Sequence, residues 1–73
     1  MLCTELKKHQ TALIAKINLN LVSRRRCFHL GLSLGERITM IRKAPFNDPV
    51  LYYVNGNYIA LRCEDADRIE VKL

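Results

Sequence analysis

The sequence has no tryptophan, and only three glycines, two prolines and three cysteines. No apolar run approaches the roughly 20 residues that a membrane-spanning helix needs, so direct membrane insertion is not expected. The N-terminus lacks the apolar core of a signal peptide, because Leu2 and Cys3 are followed at once by Glu5, Lys7 and Lys8. A cytoplasmic protein is the expectation. Cys3, Cys27 and Cys63 are odd in number and show no Cys-x-x-Cys spacing. That pattern fits neither a disulfide framework nor a zinc knuckle, and the thiols read as small, reduced, apolar residues.

Catalytic patterns are missing too. Ser23, Ser33, His9 and His29 stand in no nucleophile arrangement, and no Gly-x-Ser-x-Gly occurs. Gly31 and Gly35 bracket a turn without the Gly-Lys-Ser/Thr ending that cradles phosphates. Glu64, Asp65 and Asp67 crowd one turn and read as a solvated surface. Cys27-x-His29 is the one pair with metal-ligand chemistry, but residues two apart on a helix point to different sides. No enzyme, no cofactor and no intrinsic metal site are expected; His9 and His29 offer at most a surface site between molecules.

What is present is a small domain with a lopsided charge. The 73 residues form one domain, which at this size buries only about 60% of its unfolded surface. The net charge is +5, split as nine basic and two acidic residues through Lys43 (+7) and three basic and five acidic from Ala44 onward (−2). A basic first part suits nucleic acid, anionic lipid or an acidic protein surface.

Turn chemistry and periodicity place the elements. Thr4 is positioned to N-cap a single turn reaching Lys7. Thr11–Ile17 reads as a strand with Ile14 as its best core residue. Asn20 or Ser23 caps a short basic helix ending near Leu30, with Cys27, Phe28 and Leu30 toward the core and Arg24, Arg25 and Arg26 fanned around the other side. Gly31 suits the left-handed position after a helix. Arg37–Lys43 is a strand with Ile38 and Met40 on one face. The two prolines within Ala44-Pro45-Phe46-Asn47-Asp48-Pro49 force a reversal.

The strongest local signal is Asn55-Gly56, a type I′ turn between Val50–Val54 and residues 57–62. It sets Tyr53 opposite Tyr58 and Tyr52 opposite Ile59. Val50, Tyr52, Val54, Ile59 and Leu61 then face inward. Leu51, Tyr53, Tyr58 and Ala60 face outward, and Leu51, Tyr53 and Tyr58 form an apolar patch suited to a protein partner or to self-association. After an acidic turn at residues 63–67, residues 68–73 form a last strand with Ile69 and Val71 inward. About five short strands, one inserted helix and tight turns indicate a small all-β, partly open barrel.

Glu5-Leu6-Lys7, Arg24-Arg25-Arg26, Leu30-Gly31-Leu32, Gly35, Ala44-Pro45, Asp48-Pro49, Val54, Gly56, Ala60-Leu61-Arg62, Ala66, Ile69 and Val71 follow one another in an order and spacing that resembles the FeoA family of bacterial ferrous iron uptake. The resemblance runs along nearly the whole chain. It implies an SH3-like β-barrel and a non-enzymatic role beside a large membrane iron permease whose cytosolic part binds GTP. It also implies membrane association through that partner only. Family members usually carry Pro-Gly near Lys8-His9, proline at Leu34 and Leu-Gly at Phe46-Asn47, so the turns at these places are expected to differ. Leu51, Tyr53 and Tyr58 replace commonly charged positions, and with Arg24, Arg25 and Arg26 they are the expected partner-binding residues. The same barrel ends iron-dependent repressors, but no helix-turn-helix precedes it in this sequence. A small basic nucleic-acid-binding barrel is the alternative.

Overall fold

The computed structural model describes residues 1–73, leaving aside the side chain of Asn47. Five strands form one antiparallel sheet: β1 (Thr11–Ile17), β2 (Arg37–Lys43), β3 (Val50–Val54), β4 (Asn57–Leu61) and β5 (Ile69–Lys72), in the order β4-β3-β2-β1-β5. Helix α1 (Leu21–His29) joins β1 to β2, and the single turn α2 (Cys63–Ala66) joins β4 to β5. The sheet curls on itself into the SH3-like, partly open barrel. The 3₁₀ turn at Cys3–Glu5 shows the closure, because Cys3 accepts a hydrogen bond from Tyr52 in β3 while the adjacent Leu2 bridges Glu70 in β5. Shifts of register between Ile14 and Lys16 in β1 and between Met40 and Arg42 in β2 supply the bends that such curvature requires.

The hairpin register is the one the Asn-Gly turn dictates. Asn55 and Gly56 adopt φ of 49° and 83°, and Tyr53 pairs with Tyr58, Tyr52 with Ile59 and Val50 with Leu61. Val50, Tyr52, Val54, Ile59 and Leu61 are all buried, joined by Ile14, Ile38, Met40, Ile69 and Val71. Alternating burial, broken in β1 where the register shift puts Ile17 three residues after Ile14, sends one side-chain set into a single core. The reversal after β2 is a 3₁₀ turn at Pro45–Asn47, tied by the Ala44 N–H to the Pro49 carbonyl at 3.0 Å. At two places where the family resemblance anticipates glycine nearby, this chain instead holds His9 and Phe46 at φ 67°. Each is a left-handed conformation that costs a non-glycine residue about 1 kcal/mol.

Two local expectations are corrected. Thr4 does not cap the first turn. Leu2 precedes that turn, its N–H donates to Glu5 Oε1 at 2.6 Å, and the Thr4 hydroxyl is taken up by Asp67 of the α2–β5 turn. Nor do Phe28 and Leu30 face the core: they are 66% and 40% exposed, and Cys27 alone of the α1 residues is buried. The reason lies at the helix end. Gly31 at φ 94° reverses the chain, with Leu32 N–H bonded to the Cys27 carbonyl and Gly31 N–H to that of Phe28, a Schellman motif. That motif drives Leu32, 1% exposed, into the space expected for Leu30. Asn20 is the N-cap, accepting from Ser23 N–H at 2.9 Å.

Candidate functional site

The outer face of the sheet is built by register. Tyr58, Tyr53, Thr39 and Thr11 stand opposite one another across β4, β3, β2 and β1. The two tyrosine rings meet edge-on, with centroids 4.9 Å apart and planes at 64°, the arrangement that a quadrupolar ring pair favours. The Thr11 and Thr39 hydroxyls share a hydrogen bond of 2.7 Å. Tyr53 and both threonines line an open groove with Arg37 and Asn55. This is a rigid aromatic ledge with polar hydroxyl tips, exposed on a strand pair of which β4 is a sheet edge.

The other expected residues are distributed differently. Leu51 is half-buried, in a separate groove with Pro45, Pro49 and Ala60. Arg24 donates from Nη2 to the Ile17 carbonyl at 3.0 Å, which ties α1 to the end of β1. Arg26 approaches Asp65 of α2 at 3.9 Å. Both side chains of that ion pair reach solvent, so it contributes little to stability. Arg25 is exposed. Arg24 lines a groove with Phe28 and Leu34, and Arg26 one with Leu30 and Ala60. The tyrosines, Leu51 and the arginines thus belong to different surface features.

Sequence reasoning missed the first of those grooves. Ala15, Ile17, Phe28, Leu32 and Leu34 form its apolar lining between the end of β1 and α1. The signal was available as Arg24 and Phe28, four apart on the helix and so on one side of it. Assigning Phe28 to the core concealed it.

All three thiols are shifted away from the thiolate form. Burial pushes the Cys3 thiol up to about 11, only partly offset by its contact with the Tyr52 hydroxyl. Burial likewise raises Cys27, with Asp65 adding to the effect and Arg26 opposing it. Desolvation raises Cys63 too, helped by the Asp48 and Asp67 carboxylates. A reactive thiolate requires the opposite shift. Cys27 is buried and His29 exposed, so the two point to different sides. Among the described residues, no three His, Cys, Asp or Glu side chains converge as a metal set.

These raised values carry a stability prediction. A group whose folded pKa lies above its unfolded value supports the fold fully below the unfolded pKa and loses that support as pH rises. For Cys3 the window runs from about pH 9 to about 11. Tyr52, raised by burial and by the Cys3 charge, acts in the same direction. Thermal melts are expected to hold steady to about pH 9 and then fall. Cys3→Ala is expected to weaken that alkaline drop by up to roughly 2 kcal/mol. An identical alkaline slope in parent and variant would remove Cys3 from the explanation.

No helix among the described residues is long and apolar enough to cross a membrane. A model of the FeoA domain family matches residues 1–73, the full chain. A curated relative from Porphyromonas gingivalis, an Fe(2+) transport protein A/Fe(2+) transporter FeoB fusion protein, is 37% identical over 73 residues. The match takes in 100% of this chain and 9% of that relative, so the chain corresponds to one small part of a much longer polypeptide. The solution structure of a FeoA protein from Chlorobium tepidum superposes with a TM-score of 0.95 at 32% identity, over 100% of this chain and 70% of that one. The zinc-complexed crystal structure of Stenotrophomonas maltophilia FeoA superposes at 0.84 and 32% identity, over 99% and 89% of the two chains. That protein is described as a prokaryotic SH3 domain protein, with a suggested role as a ferrous iron transport activating factor. A manganese-dependent transcriptional repressor, at 19% identity and a TM-score of 0.86, shares the fold alone. With a full-length family match, a fused relative and superposed structures in agreement, this chain belongs to the FeoA domain family.

Proposed function

We propose that this domain is a non-catalytic, cytoplasmic accessory of ferrous iron uptake that docks on the cytosolic GTP-binding part of the membrane iron permease and biases its state. One observation carries the reading. The chain matches, over its whole length, part of a relative in which an Fe(2+) transport protein A and an FeoB transporter are one polypeptide. Fusion holds two modules at high effective concentration, which is useful where the two act together.

The chemistry of the surface agrees with docking rather than catalysis. Its thiols are held protonated, and its most distinctive exposed feature is a paired aromatic ledge on a stiff sheet. Tyr53 and Tyr58 are the proposed anchors, since tyrosine supplies contact area with few rotatable bonds and a polar tip. Half-buried Leu51 is a flanking contact at most. A docked domain shifts a permease only by the difference between its affinities for two permease states. Nucleotide dependence of binding is therefore the informative readout. The domain is titrated into the purified GTP-binding portion, with GTP analogue, with GDP and without nucleotide. Saturable binding that differs at least ~5-fold between nucleotide states is expected. No binding to that portion, and none to the full permease in detergent, would overturn the reading.

A further inference from the structure

Positive charge and exposed apolar residues coincide in one stretch of the chain. None of the seven carboxylates lies between Leu6 and Gly35, whereas Lys7, Lys8, Lys16, Arg24, Arg25 and Arg26 all do, six of the twelve basic residues. Helix α1 belongs to this stretch, and among the described residues the one carboxylate paired with it is Asp65 of α2, 3.9 Å from Arg26. Cys27 of α1 faces the core, and the opposite side carries Leu21, Arg25 and Phe28 at positions i, i+4 and i+7, with Val22 and His29 beside them. Leu21, Val22, Phe28 and, in the following turn, Leu34 are 62%, 79%, 66% and 66% exposed. Of these, Phe28 and Leu34 line a groove whose only charged lining residues are Lys16 and Arg24. The helix has no acidic residue in its first turn to answer its own dipole.

We infer that this face of α1, with Lys16 and the Leu34 turn, is a contact surface for an anionic lipid bilayer, engaged at headgroup depth without spanning. Three considerations select this occupant. Leucine, valine and phenylalanine standing out from a convex helix, interleaved with arginines, match the composition of helices that lie in a membrane interface. Guanidinium groups pair with lipid phosphates in fork geometry, and the fold places no carboxylate along the groove to compete for Lys16 and Arg24. The fused relative also places such a domain on a membrane transporter's chain, within reach of lipid. Nucleic acid offers nothing to Leu21, Val22 and Leu34. The inference does not depend on the tyrosine ledge, which lies on the outer face of the sheet.

The test uses the full chain and flotation with vesicles of phosphatidylcholine alone or mixed with phosphatidylglycerol. Binding is expected to the anionic vesicles, to weaken with added salt, and to be at least ~10-fold weaker on neutral vesicles. Lys16→Gln/Arg25→Glu and Leu21→Ser/Phe28→Ser should each reduce it at least ~10-fold, with circular dichroism unchanged because all four side chains are exposed. Tyr53→Arg/Tyr58→Arg should leave it intact, which separates this surface from the permease dock. The absence of tryptophan adds a direct probe: Val22→Trp should show a blue-shifted emission on anionic vesicles. No vesicle binding at low salt, equal binding to neutral vesicles, or full binding by Leu21→Ser/Phe28→Ser would each overturn the inference. So would tighter binding to a single-stranded oligonucleotide that ignores the Leu21 and Phe28 changes.

Discussion

Tyr52→Ala is expected to leave a large fraction of the domain unfolded at room temperature. Tyr52 is the largest fully buried side chain, 0% exposed, at the centre of β3 between Met40 of β2 and Ile59 of β4. Emptying an aromatic site costs about 3–5 kcal/mol, and a core of this size supplies a net stability of only about 3–5 kcal/mol. The two magnitudes are comparable, so one substitution brings folded and unfolded states to similar populations. Tyr52→Phe separates packing from polarity. The Tyr52 hydroxyl donates to the Cys3 carbonyl at 3.2 Å, but that carbonyl also accepts the Leu6 N–H. It keeps a partner when the hydroxyl is removed, so the loss should be about 1 kcal/mol, a melting shift of roughly 4–8 °C. A Tyr52→Ala protein that still melts cooperatively within about 5 °C of the parent would contradict the packing described for β3.

Tyr53→Arg/Tyr58→Arg is expected to do the reverse: to keep the fold and lose the partner. Both rings are exposed, and their edge-on contact is worth about 0.5–1.5 kcal/mol, so the melting temperature should fall by roughly 2–12 °C with folding still cooperative. If the tyrosines anchor the dock, removing both should cost at least about 2 kcal/mol of binding, or roughly 30-fold in Kd for the permease's GTP-binding portion. Leu51 is left unchanged on purpose, because it is half-buried and a charge there would disturb the groove beside Pro45 and Pro49. Size-exclusion chromatography of the same variant addresses self-association through the ledge or the β4 edge, since any dimer built on the tyrosines should dissociate. Full affinity and an unchanged oligomeric state would remove Tyr53 and Tyr58 from both roles.

Much of this protein is determined by interactions between residues close in the chain. The Asn55-Gly56 turn needs two positive φ angles, and once they are adopted the pairing of Tyr53 with Tyr58 and the burial of Tyr52 follow from a period of two. Asn20 as a cap, Gly31 as a reversal and the prolines as a break in the sheet are local chemistry of the same kind. For that reason the strands, the helix and the core set of the hairpin were legible before any coordinates.

Tertiary structure decided what local rules leave free. A nine-residue helix cannot choose its own buried face, because it has too few hydrogen bonds to stand alone and docks as the surrounding sheet allows. The closing Schellman turn gave the core position to Leu32 and left Phe28 and Leu30 outside, a choice that the apolar character of all three does not reveal. Thr4 was drawn from capping to Asp67, 63 residues away, by closure of the barrel. The tyrosines and the arginines stand on separate surface features for a related reason. Residues from different elements share a surface only if the fold brings those elements to one side, and distance in space is not written in the spacing of a sequence.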